Sequence, residues 1–128
     1  MRLLLPLAAL LLVAAQPPEP EWRTTVEQDV LLRPWAYEPR TIHLRAGEPV
    51  RLRFVNQSRA TMAFGARSFF QAARMRPRDA DIAAQGGFRL APGERRSVEL
   101  VPPPGRFRAR SFNVFHRLLG MSAEIVVE

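Results

Sequence analysis

The chain has no cysteine among its 128 residues. Disulfides, which staple many exported domains, are therefore excluded, and the core must hold the fold unaided. So is all thiolate chemistry: no cysteine nucleophile, no cysteine-ligated zinc, no iron–sulfur cluster. Lysine is missing as well, so all 19 basic residues are arginine, set against 12 acidic ones for a net charge of +7. Apart from the pair Arg95-Arg96, no arginines are consecutive; they are spread as RLR (51–53), RPR (76–78) and RFRAR (106–110). Alternation of this kind puts them on the wet face of strands. It argues against nucleic acid and leaves a weak preference for acidic partners or an anionic lipid surface.

No apolar run approaches the ~20 residues of a membrane span. The one at the start, Leu3–Val13, follows Arg2 and precedes the small residues Val13-Ala14-Ala15. Its pattern is that of a secretory signal, residues 1–15, cut before Gln16. An uncleaved N-terminal anchor is the rival reading, and a lipoprotein is excluded because no cysteine follows. After cleavage no stable membrane span is expected. The expected location is periplasmic or secreted, with a periplasmic protein of unknown identity as partner. Residues 16–23, which include QPPEPE, read as a Pro-rich extended linker, and 24–128 as one domain.

From residue 24 the hydrophobic period is two. Val50, Leu52 and Phe54 share a face, as do Phe107 and Ala109, and Ala123, Ile125 and Val127. Val26–Leu32, Thr41–Leu44, Gly87–Leu90 and Ser97–Val101 also read as strands. Pro/Gly turns at 38–39, 46–49, 91–94 and 102–105 separate them. Many short strands broken by such turns predict an all-β sandwich or barrel. Ser68 to Gln71 has the form of a capping box, so one short helix is expected over Phe69–Met75, ended by Pro77. Residues 77–85 read as loop, and His43 as a surface residue.

Several local motifs, taken in order, resemble those of the cupredoxins, the blue-copper Greek-key sandwiches. They are Ala36-Tyr37-Glu38-Pro39-Arg40-Thr41-Ile42, Ala46-Gly47-Glu48-Pro49-Val50, Phe54-Val55-Asn56, Ser68-Phe69-Phe70, Pro92-Gly93-Glu94, Gly105-Arg106-Phe107 and His116-x-x-x-Gly120-Met121. The likeness is nearest to small exported cupredoxin-like domains also found attached to iron-uptake proteins. It selects the sandwich over the barrel and implies a copper pole made by four positions. Two keep their usual residue, His116 and the axial Met121. Two differ: Met62 stands for the first histidine and Ser111 for the cysteine.

Blue-copper electron transfer needs a short copper–thiolate bond, so a type 1 site is excluded. Two functional readings follow. In one, the domain is metal-free and acts through its surface, with Phe112 and Phe115 as an apolar patch. In the other, Met62, His116 and Met121 bind Cu(I), for which neutral thioether and imidazole donors are suited. Against the second stands the ordinary role of methionine as core filler. Asp79 and Asp81 make too small a set for calcium. Ser111 with His116 has no acid partner for hydrolysis, so no enzyme is expected.

Overall fold

The computed structural model describes residues 18–113, 116–117 and 120–128. The expected signal segment, the first linker residues and Phe115 lie outside the described residues.

In chain order the strands are β1 (Val26–Arg33), β2 (Ala36–Glu38), β3 (Thr41–Leu44), β4 (Val50–Asn56), β5 (Met62–Gly65), β6 (Arg74–Met75), β7 (Gly87–Leu90), β8 (Arg95–Val101), β9 (Gly105–Arg110) and β10 (Ser122–Val127). Two short helices, α1 (Arg67–Ala72) and α2 (Ala80–Gln85), lie between β5 and β7. The strands form two five-stranded sheets, ordered β2-β1-β4-β8-β6 and β3-β10-β9-β5-β7. Most neighbours are antiparallel, but β1 runs parallel to β4 and β10 parallel to β3, so the chain crosses repeatedly between layers as a Greek key. No helix among the described residues is long and apolar enough to cross a membrane.

The period-two alternation sorts as expected. Val30, Leu32, Leu52, Phe54, Val98 and Leu100 of the first sheet face Ile42, Leu44, Phe64, Leu90, Ala109 and Ile125 of the second. Each buried side chain of this size stabilises the sandwich by about 1.5–3 kcal/mol before entropy is counted. His43 is exposed, as predicted.

Four local readings change. Strand β5 carries no alternation, because Met62, Ala63, Phe64 and Gly65 are all buried; with both faces covered, period two leaves no trace. The helix begins at Arg67, behind Ala66 and without a side-chain cap, so Ser68 lies inside it and the capping box does not form. It also ends early, and Arg74–Met75 pairs instead with Val101 and Leu100 at the edge of the first sheet. Residues 77–85, expected as loop, make a 3₁₀ turn (Pro77–Asp79) and α2, anchored by buried Ile82 and closed by Gly86 at φ 79°. That left-handed C-terminal position favours glycine.

The folded unit also takes in residues that the Pro-rich composition assigns to a linker. Trp22 is buried in a 3₁₀ turn, and its Nε1 donates to Glu19 at 2.8 Å. The Arg76 guanidinium lies 6.0 Å from the Trp22 ring, and Arg74 donates to the Pro18 carbonyl at 3.0 Å.

Candidate metal centre

The pole of interest is built by three segments. The first leaves β4 at Asn56, which is buried. Its Nδ2 donates to the carbonyls of Ala60, Leu90 and Ala91, and its Oδ1 accepts from the N–H and hydroxyl of Ser58. These bonds fix the 57–60 loop and so set where β5 starts with Met62. The second segment is the β1–β2 turn, Pro34-Trp35. Trp35 holds a left-handed φ of 66°, a conformation costing a residue with a Cβ on the order of 1 kcal/mol. The third comprises the described residues 111–113, 116–117 and 120–121, which follow β9 where Gly65 of β5 pairs with Arg110.

Met62 and His116 line one cleft of about 420 Å³, together with Trp35 and the 57–60 loop. Sequence placed these two residues at one pole only through a resemblance; the fold brings them together. The His116 ring meets Trp35 edge-on at 5.3 Å. The His116 backbone N–H donates to Asn113 Oδ1, and its carbonyl accepts from the Met121 N–H at 3.1 Å. The ring atom Nδ1 is buried and, among the described residues, has no hydrogen-bond partner. Leaving such an atom unsatisfied costs about 1–3 kcal/mol. Met121 is 1% exposed, belongs to the hydrophobic core and does not line that cleft.

Ser111 takes a different part. It is buried, its hydroxyl oxygen accepts from the Asn113 N–H at 3.2 Å, and it hydrogen-bonds to Tyr37. Tyr37 in turn donates to the Ala63 carbonyl at 2.5 Å. The position that the resemblance assigns to the thiolate thus carries a hydroxyl already committed to bracing β2, β5 and the closing loop. The donors that remain for a cation are imidazole and thioether. Among the described residues, no group of three or more His, Asp and Glu side chains converges. Asp79 accepts the Glu99 N–H and Asp81 pairs with Arg96, so neither carboxylate is free for calcium.

Phe112 lies over the second sheet at a place cleared by two glycines. A Cβ at Gly65 would stand 2.6 Å from the Phe112 ring, and one at Gly87, whose φ is +152°, 2.7 Å from it. Arg89 covers the ring at 5.6 Å, leaving Phe112 37% exposed. Trp35 was missed in the sequence, although a Pro-Trp pair between two strand-like runs is a turn signal that would have drawn attention to it.

Tyr37 supplies a clean pH test. Burial pushes its phenol far above the ordinary tyrosine range, and the hydrogen bond from Ser111 pulls it back only in part. It is the single tyrosine of a chain without lysine or cysteine, so no other side chain titrates between about pH 9 and 12. A raised folded-state value means that stability is fully present below the unfolded pKa of about 10 and is lost as pH rises above it. Urea midpoints are expected to hold from pH 7 to about 9.5 and fall by pH 11. Tyr37→Phe should cost about 1–2 kcal/mol at pH 7 and abolish the alkaline fall. An equal fall in both proteins would contradict the assignment.

No family model matches the chain, and no curated protein matches it in sequence. Solved structures do match. Dithionite-reduced auracyanin from the photosynthetic bacterium Roseiflexus castenholzii aligns with a TM-score of 0.60 at 14% identity, over 81% of this chain and 98% of that one. Auracyanin B aligns at 0.59 and 19% identity, over 88% and 93%. Auracyanin A, a blue copper protein from the green thermophilic photosynthetic bacterium Chloroflexus aurantiacus, aligns at 0.53 and 18%, over 81% and 99%. Identities this low carry the fold and nothing finer. Overlap with three auracyanins over 81–88% of this chain shows that it has a cupredoxin-like fold, and, having no cysteine, it cannot form a type 1 blue copper site.

Proposed function

We propose that the protein is an exported, non-catalytic domain that binds Cu(I) at this pole. His116 and Met62, which line the cleft, are two of the ligands, and Met121, whose N–H bonds to the His116 carbonyl, is the third donor. The observation that carries the reading is the buried His116 Nδ1 without a hydrogen-bond partner among the described residues, in a cleft it shares with Met62. Neutral imidazole and thioether donors fit a soft monovalent cation better than Zn, Mg or Ca. Bound there, Cu(I) would be held for buffering or hand-over, because the thiolate that supports fast electron transfer is missing. Export is supported by the leader-like segment Arg2–Ala15.

Competition with a chromogenic Cu(I) chelator under reducing conditions tests the reading. The wild type is expected to take up one Cu(I) per chain. His116→Ala and Met62→Leu should each lose at least about tenfold in affinity, since even outer-shell partners of a metal ligand carry that much. Wild-type competition no stronger than that of His116→Ala overturns the proposal.

A second reading, a metal-free interaction module, has its own observation: Trp35, 52% exposed, stands at the same pole in a strained conformation. It requires that excess Cu(I) leave the melting temperature unchanged, whereas a ligand selective for the native state raises it.

A further inference from the structure

The net charge of +7 is not spread evenly over the sandwich. On the outer face of the first sheet every arginine of β4 is matched: Arg51 pairs with Glu27 and Glu99, and Arg53 with Glu27 and Asp29. The Asp29 carboxyl is held below its ordinary range by the hydrogen bond from Arg53, and the Arg53 guanidinium is raised in return. The outer face of the second sheet is different. Arg106, Arg108 and Arg110 alternate outward along β9 and are all exposed. The only carboxylate facing them from β10 is Glu124, which pairs with Arg106 at 3.0 Å. Among the described residues, none of Arg40, Arg108 and Arg110 has a carboxylate within ion-pair distance.

Two of these unmatched arginines, Arg40 and Arg108, line a groove. A depression of about 730 Å³ runs between the β2–β3 turn and β9, with Arg40 on one side, Arg106 and Arg108 on the other, and Glu124 between them. Cross-strand register sets Thr41 beside Glu124 and Glu124 beside Arg108. Arg40 is held in place through its carbonyl, which accepts the Glu124 N–H at 2.8 Å. Trp35 lines this groove as well as the His116 cleft.

We propose that this groove docks an extended acidic segment of a partner protein. Arginine recognises carboxylates through charge-assisted, often bidentate bonds, and the Glu124–Arg106 pair is that bond made in cis. Alternate residues of β9 recur about every 6.8 Å, the repeat at which alternate carboxylates of an extended peptide recur. A flat lipid surface would meet the rim of the groove and leave its walls unused. The proposal is independent of the metal reading, although a partner lying along the groove would reach Trp35 and the His116 cleft.

The test uses the metal-free protein and a dye-labelled decapeptide of alternating Glu and Ser, followed by fluorescence polarisation. Saturable 1:1 binding is expected, weakening as salt rises from about 0.05 to 0.5 M. Arg40→Glu with Arg108→Glu should lose at least about tenfold in affinity. Arg23→Glu with Arg95→Glu makes the same change in net charge at two exposed arginines outside the groove, and should stay within about twofold. If the first variant does not fold by circular dichroism, Arg40→Gln with Arg108→Gln replaces it, with the same loss expected. Equal losses in groove and control variants overturn the proposal. So does tighter binding to phosphatidylglycerol vesicles or to a single-stranded oligonucleotide than to the peptide.

Discussion

Phe64→Ala is expected to destabilise the protein by about 3–5 kcal/mol, a large share of the 5–15 kcal/mol typical of such a domain. Phe64 has no exposed surface and is the hub of an aromatic cluster. Phe54 lies 4.7 Å away by ring centroids, Tyr37 5.2 Å, and Phe70 and Phe88 6.2 Å each. These rings come from both sheets and from α1, so they cannot close on the space left behind without moving whole elements. The cost therefore includes the cavity as well as the lost burial. Urea denaturation with an unchanged m-value checks it. Val26→Ala, at a position 61% exposed, is the internal comparison and should stay within about 0.5 kcal/mol. A loss below about 1.5 kcal/mol at Phe64 would mean that the two sheets are less tightly interlocked than the ring distances require.

Glu99→Ala comes next, at about 3 kcal/mol. Glu99 lies on the outward face of β8 yet is completely buried, because three arginines close over it. Arg51 Nε donates to Oε1 at 3.2 Å, Arg78 to the same oxygen at 2.7 Å, and Arg76 to Oε2 at 2.9 Å. Breaking a buried pair costs about 3–5 kcal/mol because the partner charge is left uncompensated. The lower end applies here: the three arginine side chains are 32–56% exposed and can turn to water, which screens their repulsion. Two of them, Arg76 and Arg78, belong to the segment between β6 and α2. The loss should therefore show a local signature, faster amide exchange at residues 76–85 than in β4. Stability within about 1 kcal/mol of wild type, with no change in exchange, would reduce this network to surface decoration.

The two predictions draw on the two ways this chain could be read. The aromatic core was legible in outline, because strands with one face buried print period two: Val50, Leu52 and Phe54 could be assigned inward without coordinates. Strand β5 could not, since burial on both faces erases the alternation, and the core's hub sits on it. The capping pattern at Ser68–Gln71 failed for another reason. A local hydrogen bond is a small preference, and the packing of Phe69 and Phe70 into the core sets the phase of α1. The arginine count told nothing of distribution. Glu99 pairs with three guanidiniums from one buried position, while among the described residues Arg40, Arg108 and Arg110 remain unmatched on the opposite face.

Composition by itself settled that no blue copper site can form, because a missing element cannot be supplied by folding. Alternation by itself indicated an all-β sandwich or barrel, because side-chain direction in a strand depends only on position along it; the two five-stranded sheets are seen only in the tertiary structure. Which charges meet, and that Met62 and His116 share a cleft while the Ser111 hydroxyl is bound to its neighbours, were decided only in three dimensions. Those contacts join segments distant in sequence, and their free energies exist only once the sheets have closed on each other.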